Sequence, residues 1–167
     1  ISSFIGLTAT AIYGNYYYVY SALYGVMLVI SNAMSASVGN SIVKNSEKTN
    51  YKHLLTFSQI YAGIMGFGTV ALACFYQPFM RIWVGEELTL GIGFAVLMTV
   101  YFFIYDSQRT ILTFKDAAGL WHRDRIRPYI SMSANVVLNL VLVQFIGIYG
   151  IVISSIVSFL ISVPWVN

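Results

Sequence analysis

The sequence predicts an all-α fold, a polytopic transmembrane helix bundle of about six spans, and three observations predict it. The chain is 58% hydrophobic and only 9% charged, with a mean hydropathy of +0.74. A soluble domain carries about a quarter charged residues, so these charges are too few to solvate a globular surface. The stretches Ile1–Val43, His53–Met80, Leu88–Tyr105 and Pro128–Asn167 hold no acid, Lys or Arg. Each holds one or two helices of the roughly 20 apolar residues that a hydrocarbon core requires. Finally, eight of the nine Lys and Arg residues fall in two segments, Lys44–Lys52 and Arg109–Arg127, with Arg81 apart. A membrane β-barrel would need segments of alternating polar and apolar residues, and neither Leu54–Tyr76 nor Val136–Val143 alternates.

The spans follow in order. Residues 1–13 read as the end of a first, truncated span. Gly14-Asn15 is a turn signal, and a second span covers 15–41. Its first half carries Tyr16, Tyr17, Tyr18, Tyr20 and Tyr24, a residue type enriched where helices meet headgroups. The third span, 54–76, is expected to end at Pro78, which cannot supply a helical N–H. The fourth, 88–115, runs past Tyr105, so its last turns carry Asp106, Arg109 and Lys115. The fifth covers 129–146, Gly147-Ile148-Tyr149-Gly150 makes a short turn, and the sixth covers 151–165. Gly63, Gly66 and Gly68 in the third span suggest close packing or a bend. The chain begins inside an apolar run at Ile1 and ends at Pro164-Trp165-Val166-Asn167. It reads as an internal piece of a longer protein without a signal peptide.

The two basic segments are two crossings apart and therefore share a side. Basic loops face the cytoplasm, which places loops 44–53 and 116–128 there and the Gln77–Glu87 loop outside. Trp83 then falls at the outer interface, and Trp121 and Trp165 at the inner one, as an aromatic belt requires. The net charge of +3 is accounted for by this rule and does not point to nucleic acid. Cys74 stands alone in an apolar run, reads as a small packed residue, and excludes a disulfide or cysteine-metal framework.

No catalytic or metal constellation is evident, no cofactor is implied, and the chain does not read as an enzyme. His53 and His122 lie far apart in the two basic segments and read as interfacial residues. No G-x-x-x-x-G-K-[ST] phosphate loop occurs. The informative polar residues lie within the spans. Ser31, Ser35 and Gly39 repeat at four-residue spacing, as do Asn32, Ala36 and Asn40. Such stripes are either close-packing seams or the wall of a polar cavity. Asn135 and Asn139 share a face at i and i+4, which lipid would penalise. Asp106 and Arg109, at i and i+3, are either snorkelling interfacial groups or a cationic site partly neutralised by its own acid, with Lys115 extending it. Arg matches phosphate oxygens bidentately. The segment His122–Arg127 reads as topology, with added attraction for anionic lipid.

Several motifs in this order resemble one family. They are Ile1-Ser2-Ser3-Phe4-Ile5-Gly6-Leu7, Ile12-Tyr13-Gly14-Asn15-Tyr16-Tyr17 and Ala36-Ser37-Val38-Gly39-Asn40-Ser41, followed by Pro78-Phe79-Met80-Arg81-Ile82-Trp83-Val84-Gly85. Ala117-Ala118-Gly119-Leu120-Trp121, Asp124-Arg125-Ile126-Arg127-Pro128 and Gly147-Ile148-Tyr149-Gly150 with Pro164-Trp165 complete the set. Over nearly the whole chain they resemble the bacterial polysaccharide biosynthesis (O-antigen and capsule) flippases of the multidrug/oligosaccharidyl-lipid/polysaccharide exporter superfamily. The resemblance implies one lobe of a two-lobe, alternating-access transporter, the second, with the first lobe missing. It implies a multi-pass protein of the bacterial cytoplasmic membrane that moves undecaprenyl-pyrophosphate-linked oligosaccharide between leaflets. Its partners would be membrane lipid, the lipid-linked oligosaccharide and the missing first lobe. The cavity candidates are then Arg109, Lys115, Asp106, Asn32, Asn40, Asn135 and Asn139, and half the cavity wall alone could not transport. Two alternatives stand beside this reading. A drug or cation exporter of the same superfamily would need an acid deep in a span. A membrane-embedded polysaccharide polymerase or glycosyltransferase would need a large outer loop or clustered acids and Arg.

Overall fold

The computed structural model describes residues 6–122 and 125–163. Helix α1 spans Leu7–Lys44 and α2 spans Glu47–Val84. After a 3-10 turn at Glu86–Leu88 come α3 (Ile92–Asp106) and α4 (Arg109–Ala117). A second 3-10 turn, Leu120–His122, leads to α5 (Arg127–Ile146) and α6 (Ile148–Ser162). Ser107 and Gln108 keep right-handed helical dihedrals between α3 and α4. These two helices therefore form one jointed rod, and the described chain makes five rods where six spans were expected. Arg123, Trp165 and the side chain of Trp121 lie outside the described residues.

The missing sixth span has a physical cause at Gly14-Asn15. The expected turn there does not form, and α1 runs straight through it. A Gly in a helix costs about 1 kcal/mol relative to Ala. Opening a turn there would forfeit the hydrogen bonds that Tyr16 makes across the bundle to Gln77 and Leu90. The helix wins, and it places Tyr16 fully inside the bundle. Helix α2 likewise passes Pro78 and ends at Gly85, whose φ of 82° favours glycine. Its start lies earlier than expected because Ser46 caps it, accepting from the Thr49 amide. Lys48 and Lys52 are thus helical, and the basic loop shrinks to the elbow Asn45-Ser46.

Helices α1, α2 and α5 are long and apolar enough to cross a membrane, and α6 is a shorter apolar helix. At 1.5 Å per residue, a 38-residue helix such as α1 or α2 is about 57 Å long, against a hydrocarbon core of about 30 Å. The outer surface agrees with a lipid environment: Phe67, Phe75, Tyr129 and Phe145 are each more than two-thirds exposed. Patches of this kind on a water-soluble monomer would be a liability. Cys74 is also exposed and is not the packed residue expected.

The interior is a ladder of aromatic rings. Tyr16 and Tyr20 are buried, while Tyr17 and Tyr18 are exposed, so the tyrosine cluster is not simply a headgroup belt. Tyr16 meets Phe94 edge-on at 5.1 Å, and Phe94 meets Tyr149 edge-on at 5.3 Å. Tyr20 contacts Tyr101 at 4.9 Å, and Tyr105 contacts Phe159 at 5.1 Å. Lipid tails are as apolar as Leu, so helices in a bilayer associate through ring packing and hydrogen bonds more than through expulsion of water. At the Gly85 end of the bundle such bonds form a knot. Gln77 Nε2 donates to the Leu90 carbonyl (2.7 Å), and the Leu90 amide donates to Tyr16 Oη (3.0 Å). Tyr16 Oη in turn donates to Gln77 Oε1 (3.0 Å).

Helices α5 and α6 form the most extensive pair in the bundle. They are joined by Gly147 alone, at φ 57°, a conformation that favours glycine. Gly150 then lets the two backbones touch, since a Cβ there would stand 2.6 Å from the Leu142 carbonyl carbon. Along α6, Ser154, Ser158 and Ser162 are all buried, a small-residue seam at four-residue spacing.

Candidate functional site

The chain order brings three helix ends together at the elbow end of the bundle: the end of α4, the start of α5 and the end of α6. Between them lies a cavity of about 400 Å³ lined by Arg109, Lys115, Asp116, Arg125 and Arg127, with Tyr105, Ser131 and Phe159 among the rest. Its lining holds four cations and a single acid. The first turn of α5 also borders it, through Arg127, Pro128 and Ser131. That helix start has no side-chain cap, so its positive dipole end adds to the cationic field.

Arg109 is held in place rather than snorkelling. Its Nε donates to Asp106 Oδ1 at 3.3 Å, and its guanidinium carbon lies 4.8 Å from the centre of the Tyr24 ring. Asp106 is fully buried, and its Oδ2 accepts from Tyr61 Oη at 2.7 Å. A buried carboxylate is tolerated when it is paired and hydrogen-bonded, and here α1, α2, α3 and α4 all contribute. The arrangement fixes the guanidinium at the cavity wall while Asp106 offsets part of its charge. Lys115 Nζ lies 3.6 Å from Asp116 Oδ1. Arg127 is buried, donates from Nη2 to Gln108 Oε1 at 3.0 Å, and sits 5.7 Å from the Phe159 ring centre.

A second recess of about 360 Å³ adjoins the first and shares Tyr105, Pro128, Ser131 and Phe159 with it. Asn135 lines it and donates from Nδ2 to Ser155 Oγ (3.3 Å) and Ser158 Oγ (3.2 Å). Asn139 Nδ2 donates to Asn135 Oδ1 at 3.1 Å, while its own Oδ1 is buried without a hydrogen-bond partner among the described residues. The two recesses form one groove. It is cationic at the elbow end and lined by amides, hydroxyls and tyrosine rings further in.

Four of the seven sequence candidates thus converge: Arg109, Lys115 and Asn135 line the groove, and Asp106 braces Arg109. Asn139 stands one turn beyond Asn135. Asn32 and Asn40 lie elsewhere, exposed on α1, with Asn40 at a separate recess beside the elbow. Of the two stripes on α1, the serine one is the packing seam: Ser31 Oγ is 2.8 Å from Thr113 Oγ1 on α4. Sequence reasoning missed Arg125 and Arg127 as wall residues. Pro128 was the available signal, because a proline in the first turn of a helix marks its start and so places Arg127 on that turn and Arg125 just before it. Tyr61 and Tyr24 carried no such signal, since their roles come from packing across helices. Among the described residues, no group of His, Cys, Asp or Glu is placed to hold a metal ion. No known family, curated protein or solved structure matches this chain.

Proposed function

We propose that this chain forms one lobe of a membrane flippase that moves undecaprenyl-pyrophosphate-linked oligosaccharide units across the bacterial cytoplasmic membrane for capsule, O-antigen or exopolysaccharide synthesis. The observation that carries this reading is the groove itself, with four cations against one acid at its mouth and an amide, hydroxyl and tyrosine wall behind. A pyrophosphate suits Arg109, Lys115, Arg125 and Arg127, since guanidinium groups pair with phosphate oxygens in a planar fork. A saccharide suits Asn135, Ser131 and the faces of Tyr101 and Tyr105. A lipid tail would remain in the bilayer beside the apolar outer surface. A cation exporter is the poorer fit, because Asp106 is already engaged by Tyr61 and Arg109 and presents no free carboxylate.

The test is binding of undecaprenyl pyrophosphate to the purified chain in nanodiscs. Each of Arg109→Gln and Arg127→Gln weakens binding by roughly tenfold, the loss of one charge-assisted contact of about 1.5 kcal/mol or more. In the full-length transporter that this reading implies, Arg109→Gln lowers export of lipid-linked precursor at unchanged protein level. Equal binding and export by these variants would dismiss the assignment.

The same reading puts loops 44–53 and 116–128 in the cytoplasm and the Glu86 turn outside. With Cys74 replaced by alanine, Asn45→Cys and Asp124→Cys stay unlabelled by an impermeant thiol reagent applied to intact cells, and Glu86→Cys reacts. Labelling at Asn45→Cys overturns the orientation.

A further inference from the structure

Six tyrosines make one continuous wall that leads out of the groove. On α1, Tyr13, Tyr17, Tyr20 and Tyr24 stand at i, i+4, i+7 and i+11, the spacing of a single helix face. On α3, Tyr101 and Tyr105 stand one turn apart. Ring centres are 6.0 Å apart for Tyr13 and Tyr17, 5.4 Å for Tyr17 and Tyr20, and 5.8 Å for Tyr20 and Tyr24. Between the helices, Tyr20 meets Tyr101 at 4.9 Å and Tyr24 meets Tyr105 at 5.9 Å. The wall joins the groove at both recesses. Tyr105 lines the cationic one, Tyr101 and Tyr105 line the amide one, and the Arg109 guanidinium rests over the Tyr24 ring. From Tyr13 to Tyr24 the α1 part alone rises about 16 Å, at 1.5 Å per residue.

This wall is not a headgroup belt. Belts sit where helices leave the hydrocarbon, whereas the tyrosines climb from near the Gly6 end of α1 to Tyr24, close to the helix midpoint. Nor is the wall closed core. Tyr17 is 44% exposed, Tyr13, Tyr24, Tyr101 and Tyr105 are half-buried, and of the six only Tyr20 is buried. Hydroxyls left against hydrocarbon are costly, so this face suits a polar neighbour. That neighbour is uncharged along the wall: α1 holds no acid, Lys or Arg before Lys44, and α3 none before Asp106. Each tyrosine offers a flat apolar ring with a hydroxyl that both donates and accepts. A neutral ligand with many hydroxyls and apolar C–H faces, a saccharide, is the chemical match. We propose that the tyrosine wall is an extended saccharide subsite, in which Tyr13 and Tyr17 contact sugar units beyond those at the cationic recess. The inference rests on the flippase reading for the pyrophosphate end of the ligand and adds where the sugar chain lies.

The experiment compares two probes on the purified chain in nanodiscs: undecaprenyl pyrophosphate, and the same lipid bearing a neutral pentasaccharide. The sugar-bearing lipid binds more tightly. Tyr17→Leu lowers its affinity about fivefold, Tyr17→Phe lowers it less, and neither changes binding of the bare lipid. Tyr18→Leu, at an equally uncovered tyrosine on another face of α1 (68% exposed), changes neither. Equal affinity for the two lipids, an unaltered sugar advantage in Tyr17→Leu, or an equal loss in Tyr18→Leu overturns the subsite and leaves the wall as a contact for another protein segment. If neither lipid binds, the flippase reading falls, and saturation-transfer NMR with the free pentasaccharide decides the wall separately. A signal that Tyr17→Leu abolishes supports the saccharide subsite; no signal overturns it.

Discussion

Gly150→Ala unfolds the α5–α6 hairpin at a temperature well below that of the unaltered chain. The added Cβ would stand 2.6 Å from the carbonyl carbon, 2.7 Å from the oxygen of Leu142 and 2.8 Å from the amide nitrogen of Val143. All three are backbone atoms of the facing helix, so no rotamer change relieves the clash. The two helices must separate, and Asn135 then loses its bonds to Ser155 and Ser158. Overpacking of this kind costs about 3 kcal/mol. Circular dichroism during heating in detergent reads the effect. Gly66→Ala is the control, because nothing lies within 4 Å of a Cβ there. That change is neutral or stabilising by up to about 1 kcal/mol, the ordinary advantage of alanine in a helix. If both variants melt together with the parent chain, the close approach at Gly150 is not what holds the hairpin.

Asp106→Leu is the second large effect. It leaves the Arg109 guanidinium, 17% exposed at its side chain, without its carboxylate in a low-dielectric wall. Removing one partner of a buried pair costs about 3–5 kcal/mol. It also strips Tyr61 Oη of its acceptor. The triple change Tyr61→Phe, Asp106→Leu, Arg109→Met removes every member of the cluster and regains most of the loss, since matched apolar replacements of a buried pair are often neutral. A triple variant as unstable as Asp106→Leu would mean that the site depends on shape and not on the unpaired charge. Chemical denaturation in mixed micelles separates these outcomes.

The all-helical class, with helices long and apolar enough to cross a membrane, was legible because it rests on composition and on long charge-free stretches, which no tertiary contact can reverse. The boundaries were less legible. Gly14-Asn15 and Pro78 are reliable turn and stop signals in water, where a freed amide finds a solvent partner. Here packing decides instead: Tyr16 and Gln77, beside those positions, are buried and bonded across the bundle, and the helix continues through both. The candidate site was half legible. Arg109, Asp106 and Lys115 stood out because charge near a span is costly, and Asn135 because it shares a face with another amide. Arg125 and Arg127 were hidden by a simpler explanation, since cations at a loop already serve topology. Asn32 and Asn135 have the same residue type and each shares a helix face with a second asparagine, two turns on at Asn40 and one turn on at Asn139, yet one is exposed and the other lines the groove. Which face of a helix meets a neighbour is decided by the other helices.

Pro78 interrupts α2 without ending it, and the interruption has a mechanical consequence. Proline has no N–H, so the carbonyl one turn earlier, at Cys74, lacks its helical donor. The six residues from Phe79 to Val84 are therefore joined to the rest of their own helix by a weakened splint. What braces the joint is sideways: the Gln77 amide, one residue before the proline, is clasped to Leu90 and Tyr16, and Met80 just beyond it is fully buried. The stiffness of that tip belongs to three distant segments jointly, like a cracked beam lashed to its neighbours. Cutting the lashing would slacken the tip while leaving the lower length of the same helix taut.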